Sequence, residues 1–316
     1  MKSFLIFRTD RIGDFLVISP IFSSIKRNYH NCKIDIVCSQ MNYEYICSFN
    51  SFNKIFLYPN NFFKKLSFFM SLKKYDYILV TDGKKRSIYF SIFKFCKKKF
   101  LFTPSVNINK LYSFFFNKVF MINYDIPKIN IIKKLLEVIS CDFKKSDINF
   151  LLNHENSNAL LNRNIIGNSY IVLNFDEKWI FNNYIDTYDN IEPTKAQFID
   201  FIYKLSKDTN LVIVNGFKKN LILDELNIVN NERIIIKNNI NIFELQSIIK
   251  HSKCLISCHG APSHIASNYN IKIIDIVDKS EIKFFESYNF HFANKTQLIR
   301  ESFNKLSLKI LSSLNS

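Results

Sequence analysis

The stretch Ser3-Phe4-Leu5-Ile6-Phe7-Arg8-Thr9-Asp10-Arg11-Ile12-Gly13-Asp14-Phe15-Leu16-Val17-Ile18-Ser19-Pro20-Ile21-Phe22 decides the fold. Phe4 to Phe7 form a short apolar run of strand length, a polar turn carries the chain through Gly13, and Ile18, Ile21, Phe22 and Ile25 then recur at helical spacing. Ser19 and Pro20 suit the cap and first turn of that helix. The same rhythm continues through runs at Lys33 to Cys38, Lys54 to Tyr58, Tyr75 to Val80 and Lys99 to Phe102. Strand, helix, strand at this spacing requires parallel βαβ units, because a parallel neighbour can only be reached by a crossover.

The alternation restarts at Tyr170 to Asn174 and runs through Leu211 to Val214, Arg233 to Ile236, Cys254 to Ile256 and Ile273 to Val277. Helical patterns lie at Ala196 to Leu205 and Phe243 to His251. A chain of 316 residues that is 47% hydrophobic can fill two cores, so two α/β domains are expected, 1–166 and 167–316. The Asn-rich stretch from Lys144 to Asn168 is the expected linker region, with the boundary near Gly167. Gln297 to Leu314 reads as a terminal helix that can pack on either domain.

Composition excludes a disordered or fibrous chain, and the surplus of 43 Lys and Arg over 27 Asp and Glu favours anionic partners. Seven scattered cysteines without a C-x-x-C pair are a reduced, cytosolic pattern. Charges at Arg8, Asp10, Arg11 and Asp14 interrupt any secretory core, and no uncharged run reaches the ~18 residues of a membrane span. The expected location is cytoplasmic, free or peripheral on the inner face of the inner membrane.

Only five glycines occur, and Gly13 and Gly260 each fall in a turn after a predicted strand, where open parallel sheets bind ligands. The first turn, Arg8 to Asp14, lacks both G-x-G-x-x-G and the P-loop pattern. Asp14 in the first turn of a helix is either a cap or an ionised base able to take a proton from a hydroxyl. Arg11 and Gly13 beside it are candidate phosphate or acceptor contacts. The second turn, Ser257-Cys258-His259-Gly260-Ala261-Pro262-Ser263-His264, offers free backbone N–H groups at a helix start, a geometry that suits phosphate oxygens. His264 is a phosphate donor or a polar strut under the turn. Cys258, His259 and His264 as metal ligands would need further partners that the neighbouring sequence lacks, and no metal is expected.

At these two turns the sequence resembles glycosyltransferase family 9, the lipopolysaccharide heptosyltransferases. Arg8 to Pro20 looks like the family's amino-terminal signature, and Leu255 to Ala266 looks like its donor-binding signature. Lys178-Trp179 is similar to the family's Lys-x-Trp element without its middle residue, and the likeness is weak between Gln40 and Leu160. The resemblance implies a GT-B architecture, two Rossmann-like parallel-sheet domains facing a central cleft, with acceptor on the first and nucleotide sugar on the second. It implies inversion at the anomeric carbon without a metal or other cofactor, an ADP-linked heptose as default donor, and a lipid-linked glycan such as the lipopolysaccharide core as acceptor. Asp14 falls on the family's general base and Lys178 on its donor-phosphate lysine. Gly260, Ala261 and Pro262 fall on the loop that meets the nucleotide sugar, and His264 on the histidine that follows.

Two departures bear on the donor. His259 stands where the family has an Asp that contacts sugar hydroxyls, and lysines at Lys218 and Lys219 stand where an acidic ribose contact is expected. An inactive glycan-binding relative is the alternative these changes raise. A basic nucleic-acid protein is the alternative the charge raises, although no nucleic-acid motif is present and none is expected to bind. Between Asn61 and Phe120, phenylalanines interleave with lysines, including Lys97 to Lys99, a pattern suited to an anionic inner-membrane surface.

Overall fold

The computed structural model describes residues 1–104, 112–153, 169–180, 190–215, 223 and 231–315. The chain divides into two compact units, 1–156 and 157–316. The boundary expected at Gly167 lies within 154–168, outside the described residues.

In the first unit, strands β1 (Ser3–Arg8), β2 (Lys33–Cys38), β3 (Lys54–Leu57), β4 (Tyr75–Val80), β5 (Cys96–Thr103) and β6 (Lys118–Met121) form one sheet. Its order is β3-β2-β1-β4-β5-β6, and each neighbouring pair is parallel. Phe4, Leu5, Ile6 and Phe7 are all fully buried, because helices cover both faces of a parallel sheet and the strand must be apolar on both sides. The strands read from the sequence are present. Strand β6 was not expected, since Lys-Val-Phe-Met is too short a run to stand out among the surrounding phenylalanines.

Helix α1 spans Ile12–Asn28, seven residues earlier than Ser19 and Pro20 suggested, and Pro20 lies inside it. Proline has no N–H for the carbonyl four residues back, and here Ser19 Oγ donates to that carbonyl, Leu16 O, at 2.6 Å. Burial then outweighs the break: every residue from Phe15 to Ile25 is buried. Phe15 and Phe22 join Phe49, Phe52 and Phe150 in a ring cluster with centroid distances of 5.0 to 6.2 Å.

Phe150 belongs to the stretch expected as linker, and the first part of that stretch is instead packed on the first unit. Asp147, in a turn at Lys145–Ile148, accepts from Ser24 Oγ at 2.7 Å, from Arg27 Nη2 at 2.8 Å and Nε at 3.1 Å, and from the Lys144 N–H at 2.8 Å. Burial pushes the Asp147 carboxyl up, but these donors, Arg27 foremost, hold it below its ordinary value.

The second unit repeats the plan with β7 (Tyr170–Asn174), β8 (Asn210–Val214), β9 (Ile234–Lys237), β10 (Cys254–Cys258), β11 (Lys272–Val277) and β12 (Lys295–Ile299), all parallel in the order β9-β8-β7-β10-β11-β12. Strand β12 overlaps the expected terminal helix, which starts only at Phe303. As a half-exposed edge strand it carries Lys295, Thr296 and Gln297, so its apolar signal is weak. The terminal helix belongs to the second unit: Phe303, Leu306 and Ile310 are buried in one cluster with Trp179, Phe198 and Phe201.

Asp147→Ala should remove four hydrogen bonds and leave Arg27 facing a partly buried gap, costing about 2–4 kcal/mol, read as a lowered urea or thermal midpoint. Because the folded carboxyl is held below its unfolded value, this contribution is present above the unfolded pKa of ~4 and is lost as pH falls through the folded one. A midpoint unmoved by the substitution at neutral pH would mean that the stretch is a loose tether.

Candidate functional site

Both sheets have the doubly wound order in which the chain reverses direction beside its first strand, and ligands bind where two loops diverge at the strands' carboxyl ends. In the first unit that point lies between β1 and β4, and in the second between β7 and β10. Asp14 follows β1, Lys178 follows β7, and His259 to His264 follow β10. Every candidate residue therefore lies at one of these two points.

In the first unit the organising group is Arg8, the last residue of β1. Its buried guanidinium donates Nη1 to Thr81 O at 2.7 Å, pairs Nε with Asp10 Oδ1 at 2.9 Å, and pairs Nη2 with Asp14 Oδ1 at 3.3 Å. The other Asp14 oxygen accepts from the Arg11 N–H at 3.4 Å, so the helix-cap reading holds. The side chain remains about a third exposed, so the cap does not use up the carboxylate. Gly13 is buried at the helix start, while the Arg11 side chain is exposed. Asp82, after β4, ties the turn down by accepting from Thr9 N at 3.0 Å, Thr9 Oγ1 at 2.6 Å and Ser87 Oγ at 2.7 Å.

Two further ionisable groups join this cluster. Burial pushes the Asp10 carboxyl up to about 7 against the pull of Arg8. Lys128, on the helix Lys128–Val138, is almost wholly buried with its ammonium 5.3 Å from the Phe102 ring; burial pushes it down to about 7, aided by Arg8 and opposed by Asp14 and Asp10. Sequence reasoning placed Arg8 and Asp10 in the Arg8–Asp14 turn without a role of their own, and missed Lys128. A charge closing an apolar strand was a usable signal for Arg8. Nothing in sequence separates Lys128 from the chain's other lysines.

In the second unit, Gly260 and Lys178 meet. A Cβ at position 260 would lie 2.5 Å from Lys178 Nζ, so the missing side chain is what admits the ammonium over the loop. Lys178 also pairs with Asp176 at 3.2 Å, and its backbone is fixed by Arg300 Nη2 donating to Lys178 O at 2.9 Å. The Trp179 indole donates to Asn174 O at 2.8 Å and is buried, which anchors the short helix carrying Lys178 in the core.

The residues of the 259–264 loop take different positions. Gly260 and Ala261 are half-exposed at the start of helix Ala261–Asn268, whereas Pro262 and His264 are buried beneath. His264 Nδ1 lies 3.0 Å from His291 Nε2. Burial and the neighbouring imidazoles hold His264 well below its ordinary value and His291 at about 3, so both are neutral. That geometry favours the strut reading of His264. His259 Nδ1 lies 2.8 Å from Oδ2 of Asp275, a fully buried carboxylate whose other oxygen accepts from Ser263 Oγ at 2.7 Å. One nitrogen of His259 is thus engaged inside the unit. Burial pushes the Cys258 thiol up to about 12, which disfavours a thiolate ligand there. Among the described residues no group of three His, Cys, Asp or Glu is placed to hold a metal. Lys218 and Lys219 lie outside the described residues.

Comparison of the sequence with protein-family models and with curated proteins yields no match. Among solved structures, the chain is similar to E. coli heptosyltransferase WaaC with ADP, with a TM-score of 0.71 at 13% identity over 98% of this chain and 99% of that one. It is similar to the glycosyl transferase family 9 structure from Veillonella parvula, TM-score 0.67 at 11% identity over 100% and 89%. The UDP-GlcNAc 2-epimerase from Methanocaldococcus jannaschii also matches, TM-score 0.58 at 13% identity over 99% and 92%. The fold is therefore the expected two-unit α/β fold of GT-B proteins. Since a transferase and an epimerase share it, function has to be argued from side chains.

Lys128→Met should raise the melting temperature below pH 7. A lysine whose folded pKa is depressed binds more protons unfolded, so its destabilising effect is full below about 7 and fades toward its unfolded value of ~10.4. Melting curves of the two proteins should therefore converge from pH 7 to pH 10. A constant difference across that range would show that the lysine is not the titrating group.

Proposed function

We propose that this chain is a glycosyltransferase of the family 9, heptosyltransferase kind. In this reading it moves a sugar, by default a heptose, from a nucleotide-diphosphate donor to a lipid-linked glycan such as the lipopolysaccharide core. The observation that carries the reading is the meeting of Lys178 with Gly260 at the switch point of the second unit, Gly260 in a stretch that resembles the family's donor-binding signature and Lys178 beside Trp179 in a shortened form of its Lys-x-Trp element.

Asp14 takes the proton from the acceptor hydroxyl, whose oxygen attacks the anomeric carbon as the bond to the diphosphate breaks. The electron pair leaves with the nucleoside diphosphate, and the configuration inverts. Lys178 and the N–H groups at Gly260 and Ala261 offset the charge that develops on the leaving group, and no metal is needed for that purpose. Arg8 holds Asp14 in place, its buried guanidinium lying 3.3 Å from the carboxylate. His259, bound to Asp275, gives the donor sugar a different neighbour from the family's Asp. This change is also what favours the second reading, a glycan-binding relative without turnover.

A melting-point screen against ADP, UDP, GDP and CDP sets the donor class, since a ligand of the folded state raises the midpoint. ADP is expected to stabilise most, and Lys178→Ala should weaken its binding about tenfold, as expected for one lost charge-assisted contact. Asp14→Asn keeps much of the cap, at a cost of ~1 kcal/mol or less, yet should lower transfer ~100-fold or more with nucleotide binding intact. Full turnover of the Asn variant would remove Asp14 as base. Nucleotide binding without transfer by the native chain would favour the inactive relative.

A further inference from the structure

Helix Phe62–Ser71 starts properly, with the Asn61 side chain accepting from the Lys64 N–H at 2.8 Å, yet none of its ten residues is buried. It rests on the first unit through Phe68 and Phe69, which pack on Phe90 of the helix Lys85–Phe93 at centroid distances of 5.0 and 5.3 Å. Phe62, Leu66 and Met70, four residues apart, with Phe63 beside them, form a stripe about 100° wide on the outward side. Their exposure runs from 50% for Leu66 to 80% for Phe63. A helix with such a stripe is built to lay it against something apolar.

The stripe has neighbours of the same kind. Phe90, Tyr112 and Phe116 share one core cluster with Leu5, Val80 and Leu101, and Phe68 and Phe69 pack against that cluster, so these segments cover one face of the sheet. The ends of the same segments expose Phe93, Phe95 and Phe114, the last two at 85% and 93%. Between positions 57 and 115 lie ten of the sixteen large hydrophobic side chains that the described residues expose.

Charge identifies the occupant. Residues 61–120 hold thirteen Lys and Arg against two acidic residues, and both acids are engaged internally, Asp76 with Ser3 and Lys97, Asp82 with Thr9 and Ser87. A second copy of this face would bring lysine against lysine, whereas anionic lipid headgroups complement it. We propose that this face of the first unit docks on an anionic bilayer, with Phe62, Phe63, Leu66 and Met70 entering the headgroup boundary and Lys64, Lys65, Lys73 and Lys74 meeting lipid phosphates. The lysine cluster at 97–99 is the lesser part of it: Lys97 is paired with Asp76 at 2.7 Å, and Lys99 Nζ donates to Ile92 O at 2.7 Å. Among the described residues no helix is long and apolar enough to cross a membrane. The docking is a property of this surface whether or not sugar is transferred.

The full chain should co-sediment with phosphatidylcholine vesicles containing about 30% phosphatidylglycerol, more strongly than with neutral ones. Combined Phe62→Ser, Phe63→Ser and Met70→Ser substitutions should weaken that binding at least about tenfold, with circular dichroism and melting point unchanged because all three side chains are exposed. In a Phe63→Trp variant, brominated lipid should quench the new indole, while Trp179 of the native chain, buried in the other unit, is spared. Two results overturn the proposal: binding that salt abolishes entirely with no quenching at position 63, or serine substitutions that leave vesicle binding untouched while dissolving a dimer. Should the triple variant fail to fold, the quenching decides alone.

Discussion

A parallel strand covered on both faces has no place for a charge along its length, and most of this chain's chemistry follows from that restriction. Phe4 to Phe7 and Leu255 to Ile256 are fully buried, so polar groups collect where the strands stop. Arg8 sits at the first position after such a run, with its guanidinium out of water and divided among a carbonyl and two carboxylates. Among the described residues two buried carboxylates lie inside strands: Asp35 of β2, which accepts from the Tyr75 hydroxyl at 2.6 Å, and Asp275 of β11, whose oxygens are satisfied by His259 and Ser263. A buried carboxylate without them would cost several kcal/mol. Each unit thus has its ionic network at a strand end or reaching toward one.

The two networks differ in kind. That of the second unit is a set of satisfied groups: Asn174 donates to Asp176 and Ser257, Asp275 meets His259 and Ser263, and His264 meets His291, with Lys178, paired to Asp176, over Gly260. That of the first unit is under tension, since Asp10 and Lys128 are both displaced toward neutrality by burial while Arg8 stays charged between them. Such frustration is common where a group has to change protonation during a reaction, and the surrounding aromatic core, with Phe15, Phe22 and Phe150, supplies the rigidity that maintains it.

How much of this was written in the sequence depends on range. Strands β2, β4 and β7 fall where the apolar runs place them, since a fully buried strand has to be apolar throughout. The edge strand β12 did not, because half-exposed residues such as Thr296 and Gln297 carry little signal. Helix α1 misled through its proline: Ser19 and Pro20 look like a cap from nearby residues, and only the burial of the whole segment shows why the helix runs through them. Asp14, Lys178 and Gly260 were legible as types at strand ends. The third partner of Arg8, Thr81, lies 73 positions on, Lys128 reaches the cluster from 120 positions away, and Asp275 meets His259 across 16, distances that no local pattern records.

The pair of neutral imidazoles under the 259–264 loop has one more consequence. In an N–H···N bond between His264 and His291, one ring has to be the donor tautomer and the other the acceptor, and a proton added to the accepting nitrogen would set two donors against each other. Unfolded histidines accept protons near pH 6.5 and these two do so far lower, so stability of the second unit declines as pH falls below that value. Acid would therefore act on the floor of the loop through a structural hydrogen bond.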